Sequence, residues 1–151
     1  MSLESDIVKL NTVFIDTAPF IYYIEAHPLY GTATKTIFDM FLTGKLIAFS
    51  SVISLAEVLP KPVEERKERL AGRFSEFLRD SSVITMTDIN QDIAERAGRL
   101  RGKYPSLRAL DALQLSASIE TGADAFVTND RKLRQVREVK LLLLSDYVKA
   151  L

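Results

Sequence analysis

The chain has 151 residues, enough for one domain with one core, and its 20 basic and 20 acidic side chains cancel to a formal net charge of zero. Neutrality removes any global bias toward nucleic acid or a membrane surface, so a charge-based function has to be local. The lack of cysteine excludes disulfides, thiolate metal sites and a Cys nucleophile. No apolar run is long enough to span a bilayer and the polar, acidic N-terminus is unlike a signal peptide, so the expectation is a cytoplasmic protein that makes no membrane contact.

Thr12-Val13-Phe14-Ile15-Asp16 is an apolar, β-branched run ending in a carboxylate, the pattern of a strand buried on both faces. Pro19 suits the first turn of a helix through Phe20, Ile21, Tyr22 and Ile24, and His27-Pro28 with Gly31 interrupts it. Phe20 to Ile24 carry more apolar surface than one helical face can hide, so part of it is expected to meet another subunit or a partner. His27 reads as a loop residue rather than a ligand. A second helix runs to about Thr43 on an Ile37, Phe38, Phe41 and Leu42 stripe, and Gly44 ends it.

Leu46 to Phe49 is the next strand. Ser50-Ser51 leads from it into a short helix from Ser54 to Leu59, stopped by Pro60. Pro62 to Asp80 reads as one amphipathic helix, with Leu70, Phe74, Phe77 and Leu78 inside and the charged run Glu64 to Arg69 outside. Val83 to Met86 is a brief strand and Ile89 to Lys103 a helix with a basic end. Leu107 to Ser118 is rich in Ala and Leu and free of Gly, Pro and β-branched residues, which predicts a helix buried on several faces. Ala125 to Thr128 is a strand, a short helical piece follows Asp130, and Val139 to Leu144 is the last strand. Strands separated by helices, with connections too long for hairpins, predict a single domain over residues 1–151. Its expected architecture is a three-layer α/β/α sandwich around a central, mainly parallel sheet.

Asp111 is the anomaly of this pattern. An isolated carboxylate within an apolar helix would take up a proton or require a cation. Ligands of open parallel sheets bind beyond the carboxyl ends of the strands, which is where Asp16 and Asp130 fall. Glu57 follows the second strand on its short helix, and Asp111 lies near the start of its own, so four carboxylates are expected at one edge. An all-oxygen acidic site without His or Cys favours Mg²⁺ or Mn²⁺. Each acid also has a local reading. Asp16 and Thr17 fit a helix cap, Ser54 with Glu57 a capping box, Asp130 a turn or cap, and Asp111 a salt bridge to Arg108 or another Arg.

The phrases Phe-Ile-Asp-Thr-Ala-Pro-Phe-Ile-Tyr-Tyr-Ile-Glu, Ser-x-x-x-Leu-Ala-Glu-Val, Leu-x-Ala-Leu-Asp-Ala-Leu-Gln-Leu-Ser-Ala and Phe-Val-Thr-Asn-Asp resemble the signatures of PIN domains, in order and in register over nearly the whole chain. The nearest likeness is to toxin ribonucleases of the VapC kind. The resemblance implies an α/β/α fold whose pocket binds one or two divalent metals and hydrolyses RNA internally, leaving a 5′-phosphate and a 3′-hydroxyl. Asp16, Glu57, Asp111 and Asp130 match the family's four acids, Thr128 matches its usual hydroxyl, and Asn129 stands beside it in the same motif. Ala18-Pro19 departs from the usual Asn or Ser followed by an aliphatic residue. A homodimer and a small antitoxin partner are implied as well. Glu57 is open between a ligand of a second ion, a contact through water and a residue that orients the nucleophile.

Two basic stretches flank the acids: Arg99, Arg101, Lys103 and Arg108 before Asp111, and Arg131, Lys132, Arg134, Arg137 and Lys140 after Asp130. They read either as solvated faces or as a rim that tracks RNA phosphates without choosing sequence. Tyr104 fits base stacking or packing beside Pro105. The preferred function is a metal-dependent endoribonuclease and toxin. The rivals are a non-catalytic RNA- or protein-binding module of the same fold and a receiver-like phosphoacceptor domain. The receiver normally needs an early acidic pair and a late Lys that this chain does not place.

Overall fold

Alternation along the strands decides the layers. In β1 (Thr12–Ile15), Val13 and Ile15 turn to one side and Phe14 to the other, and in β4 (Ala125–Thr128), Ala125 and Val127 oppose Phe126 in the same way. The two strands pair in parallel with Phe14 beside Phe126, and their rings stack at 5.5 Å with planes 8° apart. Burying each ring is worth about 1.5–3 kcal/mol, so this pair helps fix the register. Both faces of the sheet therefore need a cover.

The computed structural model describes residues 2–80 and 82–148. One cover comprises α1 (Leu3–Ile7), α2 (Thr17–Ile24), α3 (Gly31–Leu42), α4 (Val52–Val58) and α6 (Glu68–Arg79), packing Ile7, Phe20, Phe38, Val58, Phe74 and Leu78 against the sheet. The other comprises α7 (Gln91–Lys103) and α8 (Ala109–Thr121), whose Ile93, Ala97, Leu100, Ala112 and Leu115 enclose the Phe14–Phe126 pair. With β2 (Ile47–Ser51), β3 (Ile84–Thr87) and β5 (Leu141–Leu143) the order is β3-β2-β1-β4-β5, and every pairing is parallel. The expected mainly parallel sheet is entirely so among the described residues. The order differs from the 2-1-3-4-5 arrangement of flavodoxin-like receivers, which removes the phosphoacceptor reading.

The chain leaves β1 toward β2 and β3 on one side and returns to β4 and β5 on the other. The carboxyl ends of β1 and β4 thus flank the point where the order reverses, the usual crevice for ligands in open α/β sheets.

Several sequence expectations need correction. Helix α4 (Val52–Val58) ends ahead of Pro60 as expected, and Pro60 also opens a separate helix, α5 (Pro60–Glu64), where its missing N–H leaves no unpaired donor. The long helix expected from Pro62 to Asp80 is α5 and α6, broken at Arg66, whose φ of 59° lies in the left-handed region. Residues 63–69 are all exposed, so no burial compensates a continuous helix through them. Helix α1 was not apparent in the sequence, although its Leu3 and Ile7 are buried and Ser2 with Ser5 caps it. Apolar surface at Phe20 to Ile24 is used in part within the chain: Phe20 is buried and Ile21 to Ile24 are half-buried against the core. Tyr23 packs 4.4 Å from Phe38, and Tyr22 lies against His27 and Tyr30 at 4.8 and 5.1 Å between ring centres. His27 is a loop residue whose Nδ1 accepts from the backbone N–H groups of Leu29 and Tyr30.

Candidate active site

Strand β1 delivers Asp16 to the crevice, where it caps α2. Its Oδ1 accepts from the Thr17 backbone N–H at 2.8 Å and its Oδ2 from the Thr128 hydroxyl, also at 2.8 Å. The cap reading is therefore correct, and it describes the same carboxylate that faces the crevice. Burial pushes the Asp16 carboxyl up to about 6, opposed by the Thr17 and Thr128 hydrogen bonds and reinforced by the charges of Asp111 and Glu57. No cation in hydrogen-bonding contact offsets it among the described residues. The Thr128 hydroxyl also accepts from the Asp130 N–H at 3.1 Å, so one side chain joins the ends of β1 and β4.

Glu57 corrects the capping-box reading. Strand β2 continues to Ser51, which is itself the cap of α4 through a 3.1 Å bond from Ile53 N–H. Ser54 and Glu57 thus lie inside α4. The Thr17 hydroxyl donates to Glu57 Oε1 at 2.7 Å, tying α4 to the residue after Asp16.

Asp111 is not in the middle of a buried helix. Helix α8 starts at Ala109, which puts Asp111 in the first turn, where the exposed N–H groups favour a negative charge. Leu110 beside it is 45% exposed, so this end of the helix emerges from the core. Arg108 Nε donates to Asp111 Oδ2 at 2.9 Å, confirming the salt-bridge alternative, and Asp111 raises the pKa of that guanidinium above its usual value. The Arg108 side chain is 76% exposed and that of Asp111 only 14%. Asp130 caps the 3-10 turn at Arg131–Gln135 through the Lys132 N–H at 3.0 Å. Arg108 also feels the charges of Asp130 and Glu57, so the four acids share one electrostatic field at the switch point.

A cleft of about 200 Å³ opens at Asp111 and Asp130, lined also by Ser106, Arg108, Lys132 and Gln135; Asp16 and Glu57 are not among its lining residues. A larger groove of about 850 Å³ lies elsewhere, bordered by Tyr23, Ile24, Arg73, Glu76 and Phe77; none of the four acids lines it. The donor set fits a hard divalent cation, being all carboxylate and hydroxyl oxygen with Asp16 held against burial and like charge. The fit is one of chemistry and charge. No three Asp, Glu, His or Cys side chains are gathered closely enough to hold an ion among the described residues. Each of three acids is engaged locally: the Thr17 hydroxyl donates to Glu57, Arg108 to Asp111, and the Lys132 N–H to Asp130.

The basic stretches divide. Arg134 forms a two-pronged pair with Asp146 at 2.6 Å, and Lys103 pairs with Glu138 at 3.3 Å. Arg131 Nε donates to Ser145 Oγ at 3.4 Å and Arg101 Nε to the Leu107 carbonyl at 3.4 Å. Lys132 and Arg108 line the acidic cleft directly. Tyr104 is occupied structurally, donating to Glu138 at 2.6 Å and accepting from Arg137 N–H. Asn129 bridges Tyr22 and the backbone of Ser145 rather than standing beside the acids through its amide.

Sequence reading gave no role to Gln114 or Ser51. Both are buried polar side chains in contact with each other, at the crevice edge of α8 and β2. The available signal was Gln114 itself, a polar residue one turn after Asp111 in an otherwise apolar stretch.

This fold and site define a small α/β/α domain with an acidic pocket at the sheet's switch point. A model of the PIN domain matches residues 13–139, and the chain belongs to that family. Among solved structures, VapBC2 from Rickettsia felis bound to a promoter DNA fragment aligns with a TM-score of 0.71 at 20% identity, covering 87% of this chain and 98% of that one. VapC20 of Mycobacterium tuberculosis, a sarcin-ricin loop cleaving toxin, aligns at 0.67 with 17% identity over 85% and 98%. DNA-bound VapBC of Salmonella typhimurium aligns at 0.68 with 18% identity over 89% and 99%. At these identities the likeness establishes the fold. No curated protein sequence matches. No helix among the described residues is long and apolar enough to cross a membrane.

Proposed function

We propose that this chain is a divalent-metal-dependent endoribonuclease, the toxin of a toxin–antitoxin pair. The observation that carries the reading is Asp16, a carboxyl raised to about 6 by burial and by the fields of Glu57 and Asp111 at the switch point. A fold maintains such uncompensated negative charge at a functional site more often than elsewhere. Membership of the PIN family supports a nuclease, and the toxin and VapBC neighbours support the toxin role and an antitoxin partner. A homodimer is part of the same reading.

Asp16, Glu57, Asp111 and Asp130 would hold Mg²⁺ or Mn²⁺, which when bound supplies an activated water near neutral pH and offsets the charge of the phosphodiester. The chain's own contribution is orientation. The Thr17 N–H and the Thr128 hydroxyl fix the two oxygens of Asp16, so its lone pairs point in set directions. The Thr17 hydroxyl fixes Glu57. Arg108 and Lys132 offer cationic donors along the cleft, where RNA phosphates would lie beside the acids, and Arg101 and Arg131 extend that rim. Lys103 and Arg134 would contribute less, since Glu138 and Asp146 hold them.

The test is cleavage of a single-stranded RNA by the purified chain with Mg²⁺ or Mn²⁺. Cleavage is expected with either ion and is expected to vanish on exhaustive chelation and return on adding the ion back. Cleavage that survives chelation would overturn the metal mechanism. The carboxylates' local engagements favour one second reading, a non-catalytic binding module, which corresponds to RNA binding with no cleavage under any ion.

A further inference from the structure

Beneath the acids lies a set of polar side chains that a hydrophobic core does not require. Gln114 is 1% exposed, and Ser50, Ser51 and Ser54 are completely buried. They come from α8, β2 and α4, and two of them, Ser54 and Gln114, lie beside Thr17, the residue after Asp16. Buried polar groups of this kind are retained only when hydrogen-bonded, and here the bonds have a direction.

Ser51 Oγ accepts from Ile53 N–H at 3.1 Å, so its own hydrogen goes to Gln114 Oε1. A flipped Gln114 amide would leave that hydrogen without an acceptor, which fixes the nitrogen on the opposite side. Gln114 Nε2 then donates to Ser54 Oγ at 2.8 Å, with Thr17 Oγ1 at 3.5 Å as its second neighbour. Ser50 Oγ donates to the carbonyl of Ile15, the residue before Asp16, at 2.8 Å and lies 3.0 Å from Ser54 Oγ. Ser54 Oγ is also 3.3 Å from Thr17 Oγ1. Thr17 has one hydroxyl hydrogen, and it goes to Glu57 Oε1 at 2.7 Å. Ser54, with one hydrogen, has Ser50 Oγ at 3.0 Å and Thr17 Oγ1 at 3.3 Å as acceptors, and the Thr17 hydrogen ends on a carboxylate that only accepts.

We infer that Gln114 is a positioning residue. Its amide N–H groups face Ser54 Oγ at 2.8 Å and Thr17 Oγ1 at 3.5 Å, which leaves Glu57 as the acceptor for the Thr17 hydrogen, and it couples that carboxylate to α8, where Asp111 stands one turn earlier on the same face. The inference rests on the metal-nuclease reading above. It gives the spacing between the Glu57 and Asp111 halves of the site a physical origin: three elements clamped by one amide.

The experiment uses the full chain without RNA, titrated with Mn²⁺ by calorimetry, together with steady-state cleavage of single-stranded RNA. The variants are Gln114→Met, Thr17→Val, Thr17→Ser and the Gln114→Met/Thr17→Val double. Gln114→Met and Thr17→Val are each expected to weaken Mn²⁺ binding about tenfold and to lower kcat by a similar factor, with KM for RNA nearly unchanged. Thr17→Ser, which keeps the hydroxyl, should behave as the parent. The double variant should be little worse than Thr17→Val, because both changes act through one contact and independent sites would add. A Gln114→Met chain that binds Mn²⁺ and turns over like the parent would overturn the inference, as would fully additive losses in the double variant. If Gln114→Met does not fold, the contrast between Thr17→Val and Thr17→Ser decides, and equal Mn²⁺ affinity in those two sinks the proposal. A parent that neither binds Mn²⁺ nor cleaves RNA defeats the nuclease reading itself, and this inference with it. A parent that does both while its variants match it defeats the inference alone.

Discussion

Glu57 and Asp111 carry the same charge at the same sheet edge, yet they are held by unlike means. Glu57 receives a hydroxyl from Thr17, backed by Ser54, Ser51 and Gln114 in an interior that water does not reach. Asp111 is held by Arg108, whose side chain is 76% exposed. In the first region orientation comes from neutral hydrogen bonds, and removing one partner strands another. In the second it comes from a charge pair whose cation is in water while its carboxylate is mostly covered, so solvent can take the carboxylate's place on Arg108. On the proposed function, one half of the site is fixed before RNA arrives, and the other has an exposed cation that can exchange its carboxylate for a phosphodiester.

Asp16 belongs to both halves, so changing it has the largest expected effect. Asp16→Asn keeps the shape and the helix cap. RNA cleavage should fall at least about a hundredfold, or roughly 2.7 kcal/mol of barrier. Stability should move the other way. The folded carboxyl titrates near 6 against 3.8 for the free group, so the folded chain retains a proton that the unfolded chain releases. Native stability therefore falls as pH rises from about 4 through 6, by about 3 kcal/mol in all. Metal-free Asp16→Asn should exceed the parent in stability at pH 7 by up to that amount, and the advantage should shrink toward pH 4. Denaturant unfolding in chelator at the two pH values measures it; a variant less stable than the parent at pH 7 would show that Asp16 is structural.

The next contrast compares the two regions directly. Ser51→Ala leaves Gln114 Oε1 buried without a donor and should destabilise the fold by about 1–3 kcal/mol. Arg108→Ala removes a pair whose cation is 76% exposed and should change stability by less than about 1 kcal/mol while weakening RNA binding. Equal losses of stability in the two variants would erase the distinction between a dry half and a wet half. Chemical denaturation of both at neutral pH is sufficient.

The smallest effect lies on the rim. Lys132→Ala should weaken RNA binding by a similar factor across sequences and reduce the salt slope by about one. Arg134→Ala should do less, because Asp146 already holds that guanidinium at 2.6 Å. Binding titrations at several salt concentrations separate them, and a larger loss for Arg134 would mean that its pair opens for RNA.

Much of this was legible in the residues. Alternation in Val13-Phe14-Ile15, the Gly44 stop and the spacing of apolar stripes are local properties, so the layers and the parallel sheet follow from period and connection length alone. The acids were legible too, because a carboxylate at the end of a buried strand is conspicuous. Boundaries were less so. Pro60 can end one helix or begin another, and only the exposed run at residues 63–69 decided that the helix breaks there.

By itself, then, the sequence determined the α/β/α layering and the element ends on which Asp16, Glu57, Asp111 and Asp130 stand, since both depend on periodicities a few residues long. Tertiary structure alone decided how each acid is held. Thr17 meets Glu57 across 40 positions, Ser51 meets Gln114 across 63, and Thr128 meets Asp16 across 112. Contacts of that range arise from the strand order, which places the ends of β1, β2 and β4 side by side although the chain visits them far apart. A hydroxyl or an amide has no period to announce such a partner. Its role appears only when packing removes water and leaves it a single place to donate.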